Sequence, residues 1–328
     1  MTAGGSTPAA GSSSTSAASP LSLPLPPSAP RRIAFAGSPV DAVPALEALV
    51  EAGFEVPLVV TAPPARRARR AKPTPTPVGL AAERLGLRTG HSIADVAGAC
   101  GGTPPDCVVV VAFGRMIPAD LLARVPMLNL HFSALPRWRG AAPVERALLA
   151  GDATVGVSLM AIEPTLDTGP VYWCETTAVG DRATAAEVRA ELAQLGAAAL
   201  VRSLRSGLGE PVPQQGEPTY AHKLNRDDRR LAWDADGAQL ARVVRVGGAW
   251  TMTAGGMLKV LDAVAVATSA CEAMPPDAAA GSLWGDAVRC GVGALRLLTV
   301  QPAGRAAMAA SDWLRGARLE PGVRLDGG

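Results

Sequence analysis

Asn129, His131 and Asp167 are the residues of this 328-residue chain whose types and placement could run a reaction. Asn129 and His131 stand two apart in Met127-Leu-Asn-Leu-His-Phe-Ser-Ala-Leu-Pro136. In a strand, residues two apart share a face, so the amide and the imidazole would point the same way while Leu128 and Leu130 point into the packing. Side by side, their N–H groups are donors able to meet negative charge developing on an oxygen. Read alone, the pair could equally cap a strand end with hydrogen bonds, and spacing does not separate the two readings. Asp167 lies in Glu163-Pro-Thr-Leu-Asp-Thr-Gly169, where the glycine permits a tight turn; by itself it is a turn aspartate.

The elements that must position these groups alternate between strand and helix from Arg31 onward. Ile33-Ala-Phe-Ala36 is a short apolar strand, Gly37-Ser-Pro39 turns the chain, and Val40, Val43, Leu46, Leu49 and Val50 recur at helical spacing. Val56 to Thr61 reads as a second strand. Val78 to Leu85 reads as a helix whose apolar stripe is Leu80, Ala81 and Leu85, stopped by Gly86. Val108 to Ala112 is continuously apolar, as expected of a strand covered on both faces in a parallel sheet. A helix from Pro118 to Val125 and a strand from Met127 to His131 follow, then the alternating run Val155, Val157, Leu159, Ala161. This order predicts an α/β domain, a doubly wound and mostly parallel sheet over residues 31–207, with the site beyond the carboxyl ends of the strands. Residues 208–218, broken by Gly and Pro, read as a linker. One helix, Gly237 to Val246, and short apolar runs after it predict a small β-barrel-like domain over 219–328.

Composition excludes several classes. The chain is 48% hydrophobic with a formal charge of +2, so a core is available and a globally basic coat protein is excluded, although a local basic patch is not. Residues 1–30 carry no charged side chain and are rich in Ser, Ala, Pro, Gly and Thr; lacking a cationic start and an unbroken apolar run, they read as a disordered tail. No segment approaches the roughly 20 apolar residues of a membrane span, so no membrane association is expected. Cys100, Cys107, Cys174, Cys271 and Cys290 form no CxxC, and there are three histidines. A disulfide framework and a metal site are therefore not expected, and a reducing cytoplasm is. No GxGxxG or GxxxxGK[ST] follows a predicted strand, which leaves nothing to hold a dinucleotide or ATP.

Taken together, Asn129, His131 and Asp167 resemble the catalytic set of the folate-dependent formyltransferases, in the pattern N-x-H-x-S-x-L-P with a downstream L-D-x-G. The resemblance also covers Phe35-Ala-Gly-Ser-Pro39, Pro136-Arg-Trp-Arg-Gly-Ala-Ala-Pro143, Gly151-Asp152, Gly156-Val157 and Thr219-Tyr-Ala-His-Lys-Leu224. It implies that 10-formyltetrahydrofolate gives its formyl group to a primary amine, with no metal. Asn129 and His131 would stabilise the oxyanion, His131 would also donate a proton, and Asp167 would tune the histidine and relay protons. The folate site implied by the resemblance is the loop Ser133, Ala134, Leu135, Pro136 together with Phe113, Gly114, Arg115, Met116 and Ile117; from packing alone, Phe113, Met116 and Ile117 could be plain core. The sequence departs from the family pattern at Phe132, Ala134, Asp41 and Pro63-Pro64, and Val246-Gly-Gly-Ala-Trp250 is short.

Arg66, Arg67, Arg69, Arg70 and Lys72 place five positive charges in seven residues, inside a stretch from Val56 to Ala82 without an acid. Such a run is either a solvated loop or a phosphate contact. In the resemblance it falls where the tRNA-acting members carry a basic insertion, which implies methionyl initiator tRNA as the acceptor and a protein acting as a monomer. Residues 219–328 hold 13 Lys or Arg and 11 Asp or Glu, so that domain is not basic by composition, and its Trp233, Trp250, Trp284 and Trp313 are expected to pack. The rival readings are an amino-sugar formyltransferase, indifferent to the basic run, and a catalytically silent tRNA-binding protein on the same scaffold.

Overall fold

The computed structural model describes residues 23–66, 72–98 and 103–326. Its first domain is built on β1 (Ile33–Gly37), β2 (Val59–Val60), β3 (Thr89–Gly90), β4 (Cys107–Val111), β5 (Met127–His131), β7 (Thr154–Ala161) and β8 (Val171–Ala178), in the order β3-β2-β1-β4-β5-β7-β8. The first five are parallel; β7 and β8 are antiparallel additions. Between β5 and β7 lies the two-residue β6 (Arg139–Gly140), which pairs instead with β9 (Tyr220–Ala221). Every residue of β1 and β4 is buried, the condition that their unbroken apolar runs predicted.

Alternation along the strands divides the core in two. Ile33, Phe35, Val109, Leu128 and Leu130 face a layer formed by α1 (Val43–Glu51), α2 (Pro77–Arg84), α4 (Pro143–Ala150) and α5 (Ala185–Ser206). Ala34, Ala36, Val108, Val110 and Met127 face the other side, under Ile93, Val96 and the short α3 (Ala119–Leu122). Helices on both faces make the sheet doubly wound, as expected. Asn129 and His131 share a face with Met127, opposite Leu128 and Leu130.

Several boundaries differ from the sequence reading. The second strand is only Val59–Val60, because Pro57 removes a ladder donor next to it. The helix expected over Pro118 to Val125 is four residues long. Val40 sits in a single 3-10 turn and is 64% exposed, and α2 buries Val78, Ala81 and Ala82 while Leu80 faces solvent. The chain is in place from Leu23, which packs on the second core layer, and Leu208 N donates to Ser28 O at 2.7 Å, so the fold takes in residues expected to belong to the tail; residues 1–22 lie outside the described residues.

The second domain contains α6 (Gly237–Val246), β10 (Trp250–Thr253), β11 (Gly256–Val266), β12 (Leu283–Trp284), β13 (Ala287–Arg289), β14 (Ala294–Pro302), β15 (Met308–Ala309) and α7 (Ala310–Ala317). Its antiparallel sheet runs β10-β11-β14-β13-β12, with β15 against β14. A register shift around Asp262 bends β11, as an extra residue in one strand does. The last residues join the two sheet edges: Leu283 N donates to Val323 O, Leu325 N to Gly281 O, and Asp326 N to Met252 O. This strap gives the sheet its barrel-like closure. Across the domain junction, Arg146 pairs with Asp228 at 3.1 Å and Arg182 with Asp262 at 2.9 Å. Among the described residues no helix is long and apolar enough to cross a membrane, and no cluster of His, Cys, Asp or Glu could hold a metal ion.

Candidate active site

At the carboxyl end of β5 the chain must leave the sheet with two polar side chains facing the same way. It does so through a turn in which Ser133 N donates to His131 O, and the Ser133 hydroxyl donates to Arg137 O at 2.6 Å. Fully buried Ser158 on β7 pins this turn twice, donating to Ser133 O and accepting from Leu135 N. Gly156 leaves room for Ala134, which a Cβ there would meet at 3.0 Å. The turn returns at Trp138, whose φ of 62° is rare for a residue with a Cβ and has to be held in place by its surroundings. Holding it are Trp138 N to Thr219 Oγ1 (2.9 Å), its indole N–H to Asp152 Oδ2 (2.8 Å), and Arg137 stacked on its ring at 4.6 Å. Arg137 itself grips Asp152 with two N–H groups at 2.6 and 2.8 Å. Burial alone would push the Asp152 carboxyl up; the hydrogen bonds from Arg137 and Trp138 and the guanidinium charge outweigh it and hold the carboxyl below its ordinary range.

That scaffold fixes the imidazole. His131 is 6% exposed, and its Nε2 lies 2.9 Å from Trp138 O. A carbonyl only accepts, so Nε2 carries the hydrogen and Nδ1 is the ring atom left to gain or lose a proton. Nδ1 lies 3.7 Å from Asp167 Oδ2. Asp167, 9% exposed with φ of 53°, also takes the Gly140 N–H on Oδ2 at 2.8 Å and a long contact from Asn129 Nδ2 on Oδ1 at 3.5 Å. Its loop is drawn against β7 at Gly169, where a Cβ would stand 1.8 Å from Ala161 O, so only glycine fits. Gln214 Nε2 fastens the loop from the other side, donating to Asp167 O and Gly169 O.

The three residues meet in a cavity of about 630 Å³ over the carboxyl edge of the sheet. Phe113, Gly114, Arg115, Met116 and Ile117 line it, with Val110, Met160 and Ile162 completing an apolar slot beside the amide, imidazole and carboxylate. On the helix-layer side the lining is ionic: Arg189 pairs with both Asp41 and Glu145. The structure thus assembles the proposed catalytic set and five of the nine expected folate-site residues. It does not bring Ser133, Ala134, Leu135 and Pro136 to the cavity lining, because their polar groups are spent on the buried turn behind His131.

The basic run begins on an ordered base, Ala65 and Thr74 exchanging both backbone hydrogen bonds at 3.0 and 3.1 Å. Arg66 and Lys72 are exposed at its ends; Arg67, Arg69 and Arg70 lie outside the described residues. Of the four tryptophans expected to pack, Trp233 and Trp313 are buried and Trp284 and Trp250 half-buried, Trp250 under two guanidiniums, Arg226 at 4.6 Å and Arg230 at 5.9 Å. Sequence reasoning missed Trp138, Gly140, Asp152, Ser158, Arg189 and Gln214. Several stood inside stretches already marked by the resemblance, but their roles depend on carbonyls and turns that no spacing announces.

Formyl transferase is the family that matches residues 31–204, and its C-terminal domain matches residues 223–318. A methionyl-tRNA formyltransferase of Methylobacterium sp. (strain 4-46) is 43% identical over 318 residues, covering 90% of this chain and 99% of that one. One from Arthrobacter sp. (strain FB24) is 40% identical, covering 89% and 99%. Among solved structures, HypX from Aquifex aeolicus in complex with tetrahydrofolic acid aligns with a TM-score of 0.56 at 19% identity, covering 86% of this chain and 46% of that chain, a likeness of fold. With both domains matched and its relatives covered nearly end to end, the chain belongs to the formyl transferase family.

Proposed function

We propose that this protein transfers the formyl group of 10-formyltetrahydrofolate to the free amino group of methionyl initiator tRNA, producing the formylated aminoacyl-tRNA used to start translation. The observation that carries the reading is the convergence of Asn129, His131 and Asp167 in one cavity of a chain 43% identical, over 90% of its length, to a methionyl-tRNA formyltransferase. The apolar slot of Val110, Phe113, Met160 and Ile162 suits a flat heteroaromatic group, and its position beside the three polar residues suits a carbonyl held at their N–H groups.

When bound, the folate supplies an activated one-carbon unit; the chain supplies orientation and proton handling. Asn129 Nδ2 is a donor to the formyl oxygen as charge builds there, and His131 joins it through Nδ1 when the ring is charged. Because Nε2 is committed to Trp138 O, every proton that passes through this ring passes at Nδ1. Asp167 stands on that side, already holding Gly140 N–H with one oxygen and facing Asn129 with the other. It is placed to orient the ring and to exchange a proton, directly or through one water, as the amine loses a proton and the departing nitrogen gains one. Arg66 to Lys72 would meet phosphates of the acceptor, in a cytoplasmic, monomeric enzyme that needs no metal.

The fold is shared by enzymes with other acceptors, so acceptor choice is the test. Labelled formyl donor is incubated with methionyl initiator tRNA, methionyl elongator tRNA and a UDP-amino sugar in separate reactions. Label in initiator tRNA alone is expected; label in the sugar alone would leave the chemistry and overturn the acceptor.

A further inference from the structure

We infer that the connector between the domains, together with the first residue after it, is part of the catalytic apparatus, with Gln214 and Thr219 acting as positioning residues for Asp167 and His131. This rests on the reading of those two as reacting groups. Gln214 Nε2 donates to Asp167 O at 2.9 Å and to Gly169 O at 2.8 Å, while its Oε1 accepts both N–H groups of Arg139 at 2.7 and 3.0 Å. One half-buried amide therefore uses both ends to tie the aspartate loop to the segment facing it. Thr219 works on that same segment. Its hydroxyl accepts Trp138 N–H at 2.9 Å and its carbonyl accepts Arg139 N–H at 2.9 Å. Trp138 is the residue whose carbonyl sets the His131 ring, and the next residue but one, Gly140, donates its N–H to Asp167. Gly140 in turn lies so close to Ala221 O that a Cβ would stand 2.8 Å from it.

These contacts thus reach Asp167 directly at its carbonyl and His131 through one intervening residue, Trp138. Trp138 and Asp167 have positive φ and are not glycine, a conformation that persists only where neighbours over-determine it; Thr219 and Gln214 are those neighbours. A plain spacer between domains has no need of side chains aimed at these two backbones. Because the connector continues into the second domain, a displacement of that domain moves the groups that hold the catalytic pair.

The test uses the full chain with Thr219→Val, Thr219→Ser, Gln214→Ala and Gln214→Glu, the last keeping the Arg139 contact while removing the two N–H donors. Three quantities are read: kcat and KM for donor and acceptor, the thermal midpoint, and the ring ¹⁵N shifts of His131. The chain has three histidines, so His131→Gln assigns the signal. Losing one buried hydrogen bond is expected to lower kcat about ten-fold for Thr219→Val, and removing both donors at Gln214 to lower it more than that for Ala and Glu alike. KM should hold within about two-fold, Thr219→Ser should restore kcat, and the ring ¹⁵N shifts should move in Thr219→Val as the Trp138 carbonyl is released from its place beside Nε2. Unchanged kcat in Thr219→Val and Gln214→Glu, or unchanged ring shifts with activity lost only as the protein melts, would overturn the inference. Should His131→Gln keep full turnover, the reading of the site fails instead, and the ring shifts still report whether Thr219 sets the imidazole. If Gln214→Ala does not fold, Gln214→Glu and the Thr219 pair decide the matter.

Discussion

In the first domain the polar groups around the cavity are buried and partnered: His131 and Asp167 are below a tenth exposed, Ser158 is fully covered, and each is tied to a backbone group or a side chain within hydrogen-bond or ion-pair reach. In the second domain the counterpart is a surface of long cations, Arg226 and Arg230 over Trp250, with Lys223 and His222 exposed beside them. The first arrangement holds its polar groups by buried, partnered contacts, the preorganisation that charge stabilisation in a reaction requires. The second presents guanidiniums at the surface over an aromatic ring, Arg230 also paired with Asp326, an arrangement that suits a large polyanion whose grip need not be set atom by atom. Chemistry and docking are therefore divided between the two regions and should fail separately.

The largest effect is expected inside the cavity. Asp167→Asn should lower kcat by at least about a hundred-fold, within the span that a positioned acid–base group contributes, while tRNA affinity measured by filter binding stays within about two-fold. Equal losses in both would merge the two regions. Gly140→Ala comes next: the position has φ of 122° and no room for a Cβ, so its N–H should swing from Asp167, lowering kcat about ten-fold or more and also the thermal midpoint. In the basic run, which belongs to the first domain but whose described ends lie apart from the cavity lining, neutralising Arg66, Arg67, Arg69 and Arg70 should weaken tRNA binding about ten-fold at moderate salt and flatten the dependence of log affinity on log salt, with kcat at saturating tRNA unchanged. An unchanged slope would return the run to a solvated loop.

Asp152→Asn should act through Trp138 and cost a few-fold in kcat, since one neutral acceptor replaces a carboxylate holding three N–H groups. It also has a pH signature. The folded carboxyl titrates below its unfolded value of about 3.9, so its stabilisation is present above that pH and is lost as pH falls through the lower folded value. The difference in thermal midpoint between wild type and Asp152→Asn should accordingly be full at neutral pH and shrink below about pH 4. The smallest effect is Trp250→Ala, expected to weaken tRNA binding a few-fold through loss of the platform under two arginines.

The parts of this division that a sequence can carry are those written in side-chain type and period. The buried run of β4 and the shared face of Asn129 and His131 were readable because strand alternation and unbroken apolarity have few alternatives. The long α5 was not, since its buried face mixes alanines with Val188, Leu192, Leu200 and Leu204, and Gly196 is packed where a Cβ would meet Leu130 and Val157 at 3.0 Å. Nor was the buried turn that Ser133 to Pro136, expected at the folate by resemblance, form behind His131. Gln214 sat unremarked in a stretch read as linker, because its partners are two carbonyls 45 and 47 residues away in sequence. Backbone acceptors are silent in a sequence, and most of the support around His131 is made of them.

The most direct test of the division is single-turnover formyl transfer to methionyl initiator tRNA by His131→Ala, with the tRNA dissociation constant measured on the same preparation. A transfer rate lost by at least about a thousand-fold with affinity held within about two-fold is the predicted result, in line with joint loss of oxyanion and proton-transfer roles. Transfer that survives at saturating tRNA, or affinity that falls in step with the rate, would contradict it.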